Sequence, residues 1–482
     1  MGKIFNEINA LVKDNYRFFT TPGHKQGEAY KNSDLNLLKY DLTEVQGLDN
    51  IHNPTECIKD SLKYLSEFYE SKKSYYLLNG STSGIHIMLF SCFNEHDEVL
   101  VERGCHKSLV DAMYLRKLKV NFINRELYNI DLLLPNKFSK IDYNEKNIIL
   151  NLIKEKIKLN PKIKGVILTN PNYYGFYINQ KEIYEYLKEK NIFLLIDSAH
   201  GAHIKAFNKN LNCPNKYCDI SVMSAHKTLA TFTQGAFLHV NNLKILNKVN
   251  EYFSIFTTTS PSYLTMLSLE KSVEDCIYNK DKGKYLIDNC KKTREFINNN
   301  TCLHAIDDSY IKNKTNRNFS FDDTRLCLKY KNEYINSEYL YKFLFNEKIV
   351  CEMSYFNGIV LIPSVYTKNE DFKYFREKII KYTYEYENSK VFYWISKFCE
   401  IPYTKIYDPY QLEHKKYKLV KIKNSINRVL FSNIFVYPPG SPLIFKGEKI
   451  LKEQVKLILE YIKLGFNING IINNEYIKVV EE

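Results

Sequence analysis

A lysine amine attacks an aldehyde only in its neutral form, so it must lose its proton well below its free pKa of about 10.4. Lys227 lies in Ser224-Ala225-His226-Lys227-Thr228-Leu229, directly after a strand-like run from Asp219 to Ser224. Few competing charges surround that turn, and desolvation there would favour the neutral amine. Asp197 ends the apolar run Ile192-Phe193-Leu194-Leu195-Ile196 and opens Ser198-Ala199-His200-Gly201-Ala202-His203. A carboxylate beside such a run wants a cationic or hydrogen-bonded partner, and a protonated ring nitrogen would serve. Asn79-Gly80-Ser81-Thr82-Ser83-Gly84 precedes a helical pattern from Ile85 to Phe93. Small residues and hydroxyls at a helix start offer N–H and O–H donors to a dianion such as phosphate. It is not a P-loop, because no Gly-Lys-Ser/Thr follows. Singly, each stretch has a plainer reading: a surface lysine, a loop-capping aspartate, N-capping hydroxyls. Together they are an amine, a carboxylate and an anion cradle suited to one phosphorylated aromatic aldehyde.

Segments of strand and helix character alternate, which predicts a largely parallel α/β sheet. Strands are expected over Glu98–Val101, Gly165–Thr169, Ile192–Asp197 and Asp219–Ser224, with a helix over Gln180–Lys190. In such sheets chemistry collects where strands end, and the polar clusters above fall at those ends. After about residue 295 the pattern changes. Arg325–Leu328 and Gly358–Ile362 read as strands, Asp371–Tyr384 as a helix, and the Asn-rich stretch Asn298–Asn318 as including a loop at a junction. The expected division is an N-terminal arm over 1–40, a large domain over 41–295 and a smaller α+β domain over 296–482.

The chain has 482 residues, a formal net charge of +13 and 11 cysteines. The lysines are spread rather than gathered in a patch, and the Lys-rich piece Lys415–Lys423 carries no base-reading motif, so nucleic acid is not an expected partner. No run approaches the roughly 20 apolar residues of a membrane span, and Met1–Arg17 lacks the pattern of a signal peptide. Scattered cysteines in odd number read as free thiols in a reducing cytoplasm. His200 and His203, with Cys213 and Cys218 downstream, raise a zinc site, but Gly201 weakens a helix there and no CxxC pair is present, so no metal is expected.

In order along the chain, several motifs resemble the Orn/Lys/Arg decarboxylases in their shorter bacterial form. They begin with Thr21-Pro22-Gly23-His24-Lys25-Gln26-Gly27 and Tyr40-Asp41-Leu42-Thr43-Glu44, then the Gly80 turn and Gly104-Cys105-His106-Lys107-Ser108. Asn170-Pro171-Asn172-Tyr173-Tyr174-Gly175, the Asp197 segment, Ser224–Leu229 and Gln234-Gly235-Ala236 follow. Thr259-Ser260-Pro261-Ser262-Tyr263, Tyr437-Pro438-Pro439-Gly440-Ser441-Pro442 and Gly447-Glu448 complete the series. Ser198 stands where Glu is common, Ser441 where an apolar residue is usual, and Asn50–Glu56 is a loose version of its counterpart. No departure removes a group the reaction needs; all bear on which amino acid is accepted.

The resemblance implies a fold-type-I enzyme of pyridoxal 5′-phosphate (PLP), with an aspartate-aminotransferase-like large domain and a smaller C-terminal α+β region. It implies that Lys227 is the Schiff-base lysine and Asp197 the partner of the pyridine nitrogen. It places His106 on one ring face, Ala199 on the other and His200 near the phenolic oxygen. Ser81, Thr82, Ser224 and His226 would hold the phosphate, and Ser260 would help there from a neighbouring subunit, making the active unit at least a homodimer. Glu448, otherwise a surface glutamate at a helix start, would receive the substrate's terminal cation. The implied reaction is decarboxylation of a basic amino acid, arginine before lysine or ornithine, to a polyamine-pathway amine, with His226 or Lys227 returning the proton to Cα. Another fold-type-I reaction, such as transamination or Cα–Cβ cleavage, or a non-catalytic regulatory role, are the alternatives.

Overall fold

The computed structural model describes residues 2–13, 36–123, 148–314, 319–331, 337–355, 357–382, 403–437, 441–463 and 465–481. The motif Thr21–Gly27, most of the expected arm, and Pro438-Pro439-Gly440 lie outside the described residues. The chain divides into two compact units, Met1–Phe93 with Thr169–Pro171 and Phe193–Lys284, and Asn94–Leu168 with Asn172–Ile192 and Tyr285–Glu482.

In the first unit the strand Phe193–Asp197 runs parallel to Ile220–Met223, which pairs antiparallel with Ala236–Val240. The strand Lys73–Leu77 continues the sheet, antiparallel to Ala236–Val240. These strands are buried along almost their whole length. Most side chains on both faces are apolar, as in sheets covered by helices on both sides, and this is why segments such as Phe193–Asp197 read as continuous hydrophobic runs, with Ser74, Ser221 and His239 among the buried polar exceptions. The helix Gly80–Cys92 packs on this sheet. A Cβ at Gly84 would fall 2.4 Å from Leu77 Cδ1 and 2.6 Å from Val222 Cγ2, so glycine sets the closeness of helix and strand.

In the second unit Glu98–Glu102 lies between Lys119–Ile123 and Ile163–Thr169, parallel to both. The strands Leu303–Ala305, Leu326–Tyr330, Gly358–Leu361 and Met353–Tyr355 form an antiparallel sheet. The helices Ser337–Asn346 and Asn369–Ile379 pack their apolar stripes, including Leu340, Leu344, Phe375 and Ile379, into the same core as that sheet. Nearer the C-terminus two three-stranded sheets share a core with the helix Lys452–Lys463.

The expected strands are present within one or two residues, and the helix Lys181–Glu189 fits its expected span, flanked by Gln180 and Lys190. One expectation is corrected. The Gly80 turn is not ahead of its helix but forms the first turn, with Asn79 as the cap residue. The Asn-rich stretch includes loop residues at 301–302 and 306–307, as expected, set between a helix that runs to Asn300, a strand Leu303–Ala305 and a helix Asp308–Lys314. Its polar side chains replace missing backbone partners: Asn298 Oδ1 accepts from Ala305 N at 2.7 Å, and Asp307 Oδ1 from Tyr310 N at 2.7 Å. Among the described residues no helix is long and apolar enough to cross a membrane, and no group of three or more His, Cys, Asp or Glu could hold a metal ion.

Candidate active site

Strand ends of the first unit bring its chemistry together. The strand Ile220–Met223 delivers Ser224 and the short helix Ala225–Thr228, whose brevity leaves Lys227 half-buried rather than sealed. Lys227 Nζ lies 3.1 Å from His200 Nε2. His200 is buried, three residues beyond the end of the strand Phe193–Asp197. The amine that sequence singles out therefore meets an imidazole from a different strand end. A neutral imidazole can accept a proton from it, the requirement for a nucleophilic amine.

Asp197 is 2% exposed, and its Oδ1 accepts from the amide of Ala199 at 3.1 Å. The strand end around it is pinned from both sides: Asn170 N donates to Asp197 O at 2.9 Å and Ser198 N to Val222 O at 2.8 Å. A carboxylate held this rigidly under a strand end suits a fixed cationic partner. Ser224 Oγ donates to Ser81 Oγ at 2.8 Å, joining the Lys227 turn to the helix start at Gly80. Gly80 has φ +69° and an amide bonded to Gln234 O at 2.8 Å, and a Cβ built there would meet nothing within 4 Å. The Ser81 hydroxyl, oriented by buried Ser224 and beside the N-terminal N–H groups of a 13-residue helix, is a donor available to an anion. Thr82 is exposed on the same first turn. His226 Nδ1 bonds the carbonyl of Gly235 at 3.0 Å, so Nδ1 carries a hydrogen and, in the neutral ring, Nε2 is the acceptor.

The structure thus brings Ser81, Ser224, His226, Lys227 and His200 to neighbouring strand and helix ends of one unit, with buried Asp197 and Ala199 beside His200 in sequence. Ser260 stands apart, exposed on the loop before the helix Tyr263–Tyr278, with its amide bonded to Thr258 Oγ1 at 3.1 Å. His106 belongs to the second unit. It is exposed and caps the helix Lys107–Leu115, its Nδ1 taking the amide of Ser108 at 3.2 Å. Glu448, also in the second unit, is 1% exposed, and both its oxygens accept from Arg103, at 2.6 and 2.7 Å. Its carboxylate is already matched by an internal guanidinium.

The model of the Orn/Lys/Arg decarboxylase major domain matches residues 4–365, and that of the Orn/Lys/Arg decarboxylase C-terminal domain matches residues 397–470. The chain belongs to this family. An arginine decarboxylase of Halalkalibacterium halodurans is 27% identical over 489 residues, spanning 97% of this chain and 94% of the relative. A lysine decarboxylase of Hafnia alvei is 26% identical over 301 residues, covering 57% of this chain and 39% of the relative. Among solved structures, the constitutive lysine decarboxylase of Escherichia coli superposes with a TM-score of 0.82 at 17% identity, covering all of this chain and 82% of that one. The fold is that of fold-type-I PLP enzymes.

Family membership also gives Arg103 and Glu448 their places. Arg103 falls in the Orn/Lys/Arg decarboxylase major domain and Glu448 in the C-terminal domain. Sequence reasoning missed Arg103. The available signal was a cationic residue directly after the buried strand Glu98–Glu102, where an unpaired charge would be costly.

Proposed function

We propose that this protein is a PLP-dependent decarboxylase of basic amino acids that takes arginine to agmatine and CO2, with lysine and ornithine the next candidates. The observation that carries this reading is the Lys227–His200 contact beside the Ser81–Ser224 hydroxyl pair, in a chain matched by both domains of a decarboxylase family. The ranking rests on the arginine decarboxylase relative, which this chain matches nearly end to end, whereas the lysine decarboxylase relative is matched over 57% of the chain.

The residues present fit the cofactor. Gly80, Ser81, Thr82 and Ser224 offer N–H and hydroxyl donors for its phosphate, with His226 beside them. Asp197 offers a buried carboxylate for its ring nitrogen, and Lys227 an amine for its aldehyde. Ala199 would pack one ring face and His106 stack on the other, with His200 near the phenolic oxygen. PLP supplies an electrophilic aldehyde and a ring that takes up the electron pair left when the bond from Cα to the carboxylate breaks.

This chain's own groups do the rest. His200 Nε2 can take the proton of Lys227 Nζ, leaving the amine nucleophilic. Asp197, fixed by the Ala199 amide, would keep a proton on the ring nitrogen. Between the two candidates for returning a proton to Cα, we assign Lys227 Nζ, because the neutral His226 ring has its N–H committed to Gly235 O. Ser260 fits a role at the phosphate of a second copy of the chain, which makes the active unit a homodimer. The setting is the cytoplasm, with free amino acid as the partner and neither nucleic acid nor membrane.

The test is direct. Purified protein with added PLP, incubated separately with arginine, lysine and ornithine, is assayed for amine and CO2. Agmatine in excess over cadaverine and putrescine is expected. A keto acid without CO2, or no amine from any of the three, overturns the proposal.

A further inference from the structure

The Arg103–Glu448 pair is built for more than neutralisation. Its two hydrogen bonds are parallel, Nη1 to Oε1 at 2.6 Å and Nη2 to Oε2 at 2.7 Å, the bidentate arrangement that fixes orientation as well as charge. The guanidinium is packed among three rings, with its central carbon 5.3 Å from the centroid of Phe122, 4.5 Å from Tyr403 and 5.1 Å from Phe445. Glu448 Oε2 also accepts from the amide of Phe445 at 3.2 Å. Such a pair gains little net stability over a well-packed apolar substitute, so its retention calls for a reason of geometry.

The geometry points along the chain. Arg103 is the first residue beyond the strand Glu98–Glu102, its amide bonded to Ile123 O at 3.0 Å. Cys105 N closes a turn onto Glu102 O at 3.1 Å, and His106 follows as the cap of the helix Lys107–Leu115. The same C-terminal segment grips that helix further on, where Lys446 Nζ sits 3.3 Å from the centroid of the Tyr114 ring. The segment around Glu448 therefore clamps the chain on both sides of His106.

We infer that Arg103 is a positioning residue: through its pair with Glu448, the C-terminal domain sets the loop that carries His106, and with it the affinity for the cofactor. This rests on the reading that His106 contacts PLP. It gives Glu448 a role inside the protein rather than at the substrate. Arg103 and Glu448 act through His106 and touch neither cofactor nor substrate.

The experiment is a double-mutant cycle in the full chain, using Glu448→Gln, His106→Ala and the double variant. PLP is titrated into each apo-protein and binding is read from visible absorbance. Backbone amide exchange over residues 104–109 is followed in the apo-proteins. Glu448→Gln is expected to weaken PLP binding about tenfold, the order seen when an orienting partner is lost. It should add no more than about twofold in the His106→Ala background, and it should speed exchange over 104–109. Equal weakening in both backgrounds, or none in the wild-type background, overturns the inference. If Glu448→Gln does not fold, Arg103→Lys enters the same cycle, since it keeps the buried charge but loses the planar fork. If the wild type takes up no PLP, the proposed function fails, and amide exchange then decides the inference alone. Unchanged exchange over 104–109 rejects it, and faster exchange confined to that loop upholds the positioning.

Discussion

Lys227 Nζ and His200 Nε2 stand 3.1 Å apart, within reach of a hydrogen bond through which the imidazole can accept a proton from the amine. Lys227→Ala removes the nucleophile and the group assigned to reprotonation at once. Turnover of arginine should fall on the order of 10³-fold or more, and the visible absorbance given by PLP in the wild type should be lost. Retention of both would show that another amine does this work. The Ser81–Ser224 hydroxyl bond makes a second prediction at this scale. Because the two serines hold each other, Ser81→Ala and Ser224→Ala should each weaken PLP binding several-fold, while the double variant loses less than the product of the two. Titration of the apo-variants with PLP checks this, and independent, multiplying losses would mean that the hydroxyls do not act as a unit.

At the scale of elements, the paired strands Lys73–Leu77 and Ala236–Val240 hold an ionisable group away from water. His239 lies opposite Ser74, its Nδ1 2.9 Å from Ser74 Oγ, and burial pushes its pKa down to about 3. An unfolded histidine titrates near 6.5, so between about pH 6.5 and 3 the unfolded chain binds a proton that the folded chain refuses. Folding stability should fall with acidity across that window. His239→Gln, which cannot be protonated there, should flatten the fall in urea-unfolding midpoints measured from pH 7 to 4. The same elements show what a sequence makes legible. Strands apolar on both faces, such as Phe193–Asp197, stand out because a covered sheet demands continuous hydrophobic runs. The helix start at Gly80 was placed late, because its small polar residues fit a turn and a first helical turn equally well. Secondary structure after Asn298 was hidden because asparagine and aspartate side chains there replace backbone partners that no periodicity reveals. Lys227 and Asp197 could be singled out because each sits at or just beyond a strand end, and Ser81 because it opens a helix, whereas His200 and Ser224 owed their roles to the family resemblance. Arg103 also follows a strand, but its partner is 345 residues away and only folding brings the two together.

At the scale of the whole molecule, the C-terminal domain joins the major domain through groups that water would otherwise keep. Lys446 packs its ammonium onto the ring of Tyr114, and burial pushes its pKa down to about 8, although Asp111 and Glu413 pull the other way. In the unfolded chain the same lysine titrates near 10.5. Below about pH 8 both states hold the proton, and the folded state bears the whole cost of keeping an ammonium away from water. Between about 8 and 10.5 the unfolded state binds more protons, so the linkage makes folding more favourable as pH rises. Lys446→Met keeps the length and the contact with the ring and removes the charge. It should therefore raise stability most at pH 7, and its advantage over the wild type should shrink steadily towards pH 10. Comparing the two proteins at each pH cancels the titration of every other group they share, so the difference in urea midpoints isolates this lysine. An advantage that does not change with pH would mean that Lys446 stays charged and hydrated in the folded protein.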